Sequence, residues 1–129
     1  MIKELDIRCT GHTQPVKSLS GGNQQKVCIA RALTLEPDIL FVSEPTRGID
    51  IGAKKMILDS LLKLNKEKGV TVIITSSELA ELRSVCNRIA IVTEGKIAGI
   101  LRSNEDDYKF GLLMSGSKIE DAKEEAKEA

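Results

Sequence analysis

An α/β fold, with a mostly parallel sheet flanked by helices and a C-terminal hairpin, is what the sequence predicts. Three observations point to it. Short apolar runs of strand length recur at Ile39–Val42, Val70–Ile74 and Ile89–Val92. The stretches between them carry apolar residues at helical spacing. The runs are continuous rather than alternating, as in strands of a parallel sheet covered on both faces. The 129 residues give room for one domain, residues 1–116. A Lys/Glu/Ala tail, residues 117–129, is expected to fray, because like charges sit at i,i+4 in Glu120/Glu124 and Lys123/Lys127.

Residues 1–19 are weakly patterned, with turn chemistry at Thr10-Gly11-His12. Ser20 is placed to cap a helix in which Val27, Ala30 and Leu33 recur on one side, and Pro37 stops it. Ile39–Val42 is the first strand. Ser43-Glu44-Pro45-Thr46-Arg47-Gly48 is a loop. Ile57, Leu58, Leu61, Leu62 and Leu64 give a helix over about Gly52–Lys68, with Gly69 as its C-terminal cap. Val70–Ile74 is the second strand. Leu79, Leu82 and Cys86 mark a short helix behind Ser76-Ser77. Ile89–Val92 is the third strand, and Glu94-Gly95 turns it into a returning strand over Ile97–Leu101. Ser103 is expected to cap a last helix whose first turn holds Glu105, Asp106 and Asp107.

Composition narrows the function. Nineteen basic and nineteen acidic residues cancel, and the chain has no Trp, one Tyr and two Phe. A general basic field and aromatic base stacking are both missing, which argues against a nucleic-acid partner. No apolar run approaches the ~20 residues of a membrane-spanning helix. The N-terminus is acidic where a secretory signal is basic and then apolar, so an intracellular site is expected. Cys9, Cys28 and Cys86 have no C-x-x-C spacing, so no metal site is expected, and Cys28 and Cys86 read as core thiols.

The sharpest local signal is Leu19-Ser20-Gly21-Gly22-Asn23-Gln24-Gln25-Lys26. A serine and two glycines at a helix start present backbone N–H groups beside a hydroxyl. That suits an anion such as a phosphate, and it equally suits an ordinary capped helix. Further along, an apolar strand ends in Ser43-Glu44-Pro45-Thr46, followed by Arg47-Gly48-Ile49-Asp50. This order resembles the ATP-binding subunit of ABC transporters over residues 16–116. Leu19–Gln25 is similar to the ABC signature and Ile39–Ser43 to the Walker B strand. Glu44 falls at the catalytic glutamate, Gly48-Ile49-Asp50 at the D-loop and Ser77 at the switch histidine. Asn23–Lys26, Pro45–Ala53 and Ser76–Leu79 resemble the sugar-importer branch (ribose, galactose and nucleoside type), and within it the C-terminal half of the second ABC module. Phe110–Gly116 is similar to the ending of that branch.

Three departures qualify the resemblance. The phosphate loop G-x-x-x-x-G-K-[ST] does not occur, and the sequence is expected to begin beyond its place. The Walker B aspartate position holds Ser43, which lacks the charge that steadies magnesium's water shell. The switch position holds Ser77, which has no imidazole. The sole histidine, His12, lies outside these motifs.

The resemblance implies a three-layer P-loop NTPase-like half-domain. It implies a signature, Ser20, Gly21, Gly22 and Gln24, that meets the γ-phosphate of ATP held by a partner module. ATP and Mg are then expected only with that partner, and no cofactor for the chain alone. Glu44 is either a water-polarising base or a solvated loop carboxylate. Arg47 either pairs across a dimer or closes a turn, and Asp50 can cap the next helix. The expected partners are another ABC ATPase module and an importer permease, with membrane association only through the permease at the inner face of the cell membrane. The alternatives are an inactive regulatory remnant on an ABC dimer surface, and a fragment of a chromosome-maintenance ATPase. The family fold also places a strand between Val70–Thr75 and Ile89–Val92 that is absent from this sequence. Either Ile89–Val92 moves over to pair, or the edge stays open for another chain.

Overall fold

The computed structural model describes residues 1–117, which divide into two compact units, Met1–Ser77 and the residues from Glu78 onward. The predicted tail, Ser117 apart, lies outside the described residues.

The first unit is built on two strands and two helices. α1 (Gly21–Leu33) begins at Ser20, whose side chain accepts from the Asn23 N–H. Its buried side is Gly22, Lys26, Ile29 and Leu33, while Val27 and Ala30 are only partly covered. β1 (Ile39–Ser43) and β2 (Thr71–Thr75) pair in parallel, with Ile39 opposite Thr71 and Ser43 opposite Thr75. Between them runs α2 (Ile51–Lys68), capped by the Asp50 carboxylate on the Ala53 N–H at 3.0 Å. α2 ends on Gly69, whose φ of 67° is left-handed and open to glycine without a side-chain clash. Leu40, Ile57, Leu61, Leu64 and Val70 form the core, together with Ile29 and Leu33 of α1. Leu5 and Ile7 complete it, so the weakly patterned N-terminal segment supplies two buried side chains.

The strand expectation needs correcting on one point. β1 and β2 are covered on one face only. Leu40 is buried, and Val42, Val72 and Ile74 pack against the core, while Ile39, Phe41 and Ile73 are exposed. A continuous apolar run thus became a one-sided strand, because nothing within this unit lies over the second face.

In the second unit, α3 (Leu79–Val85) precedes a hairpin of β3 (Arg88–Thr93) and β4 (Lys96–Arg102). Glu94 and Gly95 both have positive φ, 51° and 74°, as a tight two-residue hairpin turn requires. Ile89, Ile91 and Leu101 pack on Phe110 and Leu113 of α4 (Asp107–Met114). Ile89–Val92 pairs with β4, not with β2, and the outer edge of β2 stays open in its own unit. Arg83 is the polar hub: it lies 5.0 Å from the Phe110 ring centre, donates to the Ser103 and Glu105 carbonyls and pairs with Asp107.

Two further expectations are corrected. Ser103 does not cap α4; the residue at that position is Asp106, and Ser103 is instead tied by its backbone to Asn87 and Arg83. Glu105 and Asp106 accordingly precede the helix rather than fill its first turn. Cys28 is exposed on α1 rather than buried. Cys86 is half-buried, and burial pushes its thiol pKa up.

The one-sided sheet gives a contrast to measure. Leu61 is 1% exposed and Phe41 is 73% exposed. Leu61→Ala is expected to cost about 2–5 kcal/mol through the cavity it leaves, and Phe41→Ala less than about 0.5 kcal/mol, as an exposed site. Urea unfolding followed by circular dichroism reads both; equal losses would contradict the assignment of the core to one face.

Candidate functional site

The predicted site residues fall into two groups, both in the first unit. The first group is the start of α1 with the start of α2. Ser20 Oγ accepts from the Asn23 backbone N–H at 3.4 Å and from Asn23 Nδ2 at 2.8 Å. Asn23 Oδ1 in turn accepts the Arg8 N–H at 2.9 Å. A backbone N–H can only donate, so this contact fixes which end of the Asn23 amide faces Ser20. Gln24 turns its side chain back onto the Leu19 carbonyl at 2.9 Å. The two glycines differ. A Cβ on Gly21 would meet open space. A Cβ on Gly22 would lie 2.8 Å from the Ala53 Cβ in the first turn of α2. Gly22 is therefore the point at which the two helix starts touch.

That contact brings the residues predicted as a D-loop beside those predicted as a signature. Gly48 has φ 72°, the Ile49 N–H bonds back to the Thr46 carbonyl at 3.2 Å, and Asp50 caps α2. Asp50 thus has the local role expected of it. Two N-terminal helix ends, each with a positive dipole end, lie together.

The second group stands at the carboxyl ends of β1 and β2. Glu44 is half-buried and has φ 45°, left-handed for a residue that is not glycine and costing roughly 1–2 kcal/mol. It is held there by its N–H on the Thr75 carbonyl at 2.8 Å and by its carboxylate, which accepts the Ser77 N–H at 3.0 Å. The Ser43 hydroxyl accepts from the Thr75 hydroxyl at 3.0 Å. Ser43, Glu44 and Ser77, read from separate motifs, are thus brought to one strand end. Arg47 closes the turn, its N–H donating to the Glu44 carbonyl at 3.2 Å.

Two residues of the Leu19–Lys26 stretch were given no role of their own by sequence. Asn23 lies three residues past the cap, the place from which a side chain reaches back to it. Lys26 is 3% exposed, and its ammonium donates to the Asp6 carbonyl at 2.8 Å. Its place four residues after Gly22 and three before Ile29 puts it on the buried stripe.

The asymmetry between the glycines is testable. Gly22→Ala is expected to destabilise the chain by about 1–3 kcal/mol despite alanine's better helix propensity, since the new methyl meets Ala53. Adding Ala53→Gly should restore most of the loss, whereas Gly21→Ala should cost nothing measurable. Additive losses in the Gly22/Ala53 double variant, read by thermal melting, would show that the two residues do not touch.

The ABC transporter family matches residues 1–47. Over 115 residues, 89% of the chain, the sequence is 49% identical to the ribose import ATP-binding protein RbsA of Bacillus cereus (strain ZK / E33L), and that stretch is 23% of the relative. The galactose/methyl galactoside import ATP-binding protein MglA of Treponema denticola is 43% identical over 114 residues, again 23% of its length. The chain therefore spans about a quarter of the length of the curated relatives it matches. The dimeric structure of MJ0796, a bacterial ABC transporter cassette, matches 81% of the chain and 45% of its own, at TM-score 0.67 and 30% identity. The cassette MJ1267 in its ADP conformation has the same fold, with TM-score 0.72 over 88% of the chain and 43% of its own. By sequence and by fold the chain is similar to the ATP-binding cassettes of ABC transporters, and it spans less than half of the solved cassettes it matches.

Proposed function

We propose that the chain is part of an ATP-binding component of an ABC importer for sugars or nucleosides, and that it supplies an ABC signature to ATP held by another cassette. The observation that carries this reading is the start of α1. Ser20 caps a helix of 13 residues, a Cβ on the adjoining Gly21 would meet open space, and the first N–H groups of a helix have no acceptor within it. Relatives at 43–49% identity are named as ribose and galactose import ATP-binding proteins, which supports the substrate class. A similar cassette was solved as a dimer with ADP and phosphate bound, which supports a site between two cassettes. Such a component works in the cytoplasm, at the inner face of the membrane beside its permease. No helix among the described residues is long and apolar enough to cross a membrane.

The chain's own strand end supports a role without independent hydrolysis. Glu44 is positioned at the strand end, but its neighbours there are the hydroxyls of Ser43 and Thr75 and the backbone of Ser77. None of these neutral groups supplies the charge with which a carboxylate holds magnesium or a lysine holds phosphate. A regulatory role on a cassette surface, without turnover, rests on the same observation.

Calorimetry of the chain with Mg-ATP is expected to show no binding in the micromolar range and no hydrolysis. Micromolar affinity at one-to-one stoichiometry would overturn that part of the reading. The signature itself is tested by recovering the chain on an immobilised full-length importer ATPase, with and without a non-hydrolysable ATP analogue. Recovery should rise with the analogue, by a coupling of about 1–3 kcal/mol, because each ligand strengthens the other equally. Gly21→Glu should remove the rise by placing a side chain and a negative charge in the open approach. Gly22 is the wrong position for this variant, since its substitution also disturbs α2. Equal recovery in both conditions would refute the signature role.

A further inference from the structure

The amino ends of β1 and β2 lie at the opposite end of the ladder from Glu44, and beside them the first unit has a groove of about 440 Å³. Its floor is Leu5, Leu33 at the end of α1, Leu64 of α2 and Val70 just before β2. All four are core side chains, so the groove opens onto the hydrophobic core itself. Its volume is in the range that holds a small organic molecule. An apolar floor with a few polar groups at the rim is the usual construction of such a site.

The rim is charged. Its acidic side chains are Glu4, Glu36, Asp38 and Glu67, and its basic ones are Lys63 and Lys68. Two of the acids engage the two lysines. Lys68 Nζ lies 3.4 Å from Glu4, and Lys63 Nζ lies 3.9 Å from Glu67. Glu36 and Asp38 are left over, and among the described residues neither side chain has a hydrogen bond or an ion pair. Their backbones are nonetheless fixed. The Glu36 N–H donates to the Leu33 carbonyl at 3.0 Å, and the Asp38 carbonyl accepts the Thr71 N–H at 2.8 Å. Pro37 stands between them with its φ locked by the ring. Two unpaired carboxylates on a fixed turn beside an apolar floor are complementary to a cation that carries a hydrocarbon body.

We infer that this groove is a binding site for a small organic cation of the alkylammonium class. The ammonium meets Glu36 and Asp38, and the hydrocarbon covers Leu5, Leu33, Leu64 and Val70. An anionic ligand of the same shape meets the same two acids and is repelled. A neutral one gains the floor but not the rim. A bare metal ion has no use for the floor, and among the described residues no group of three or more His, Cys, Asp or Glu side chains is placed to hold one. The inference does not rest on the signature reading, which concerns the other end of α1.

The test titrates the whole isotope-labelled chain, without nucleotide, with hexylammonium, hexanol and hexanoate, and follows backbone amide shifts by NMR. Hexylammonium should give saturable shifts centred on Leu5, Leu33, Leu64 and Val70, with a Kd on the order of 1 mM, ordinary for a ligand of its size. Hexanol should bind the same residues about tenfold more weakly, the value of a charge-assisted contact, and hexanoate more weakly still. Glu36→Gln combined with Asp38→Asn should bring hexylammonium down to the level of hexanol and leave hexanol unchanged. The unchanged hexanol shows that the floor of the double variant is intact. Asp59→Asn, an exposed carboxylate of α2 that does not line the groove, should change neither ligand. The inference is overturned if the four floor residues show no saturable shift up to about 10 mM hexylammonium. Hexylammonium binding no tighter than hexanol overturns it too, as does full hexylammonium affinity in the double variant. ATP-dependent recovery of the chain, the readout of the signature, is independent of every one of these outcomes.

Discussion

Five consecutive residues of β1 run in register with five of β2, and the rest of the first unit is arranged around that ladder. The pairing sends Leu40 and Val42 to the same side as Val72 and Ile74, where Ile57, Leu61 and Leu64 of α2 meet them. It also ends the two strands level, Ser43 against Thr75. From that level end the Glu44 N–H reaches the Thr75 carbonyl, and the Ser77 N–H reaches the Glu44 carboxylate. These bonds offset the cost of a left-handed glutamate. A slip of one residue would reverse the buried and exposed faces and separate all three groups.

A second constraint acts through small side chains. Gly22 and Ala53 let the starts of α1 and α2 approach closely, so that two capped helix ends, at Ser20 and Asp50, share one region. Behind α1, Lys26 and Asn23 hold the segment around Asp6–Arg8 through backbone groups alone. A buried ammonium satisfied by a carbonyl is a costly arrangement if the carbonyl is withdrawn. The N-terminal segment is therefore part of the support of α1, and Leu5 and Ile7 anchor it in the core.

The fold is that of part of an ABC ATPase cassette, and the sequence is similar to sugar-import ATP-binding proteins over most of its length. At the carboxyl ends of β1 and β2 the groups around Glu44 are the hydroxyls of Ser43 and Thr75 and the backbone of Ser77. The proposed contribution to a partner's site rests on the start of α1 and on these neutral surroundings of Glu44.

Much of this was legible in the sequence. The caps at Ser20, Asp50 and Gly69, the three strands and the Glu94-Gly95 hairpin are local features. Each depends on a few adjacent residues and on backbone conformations that their side chains favour. Sequence also named Ser43, Glu44 and Ser77 from separate motifs, and the parallel pairing of β1 with β2 brings them to one strand end. Tertiary structure decided what depends on distant neighbours. It bared Phe41, because coverage of a strand face belongs to whatever packs there and not to the strand. It exposed Cys28 and buried Lys26, since two residues, about half a turn of helix, separate core from solvent. It moved the cap position of α4 to Asp106, just past the Ser103 and Glu105 carbonyls that Arg83 engages. It also set Gly22 against Ala53, a contact between residues 31 positions apart, which hydrophobic periodicity does not encode because neither residue has a side chain large enough to register in it.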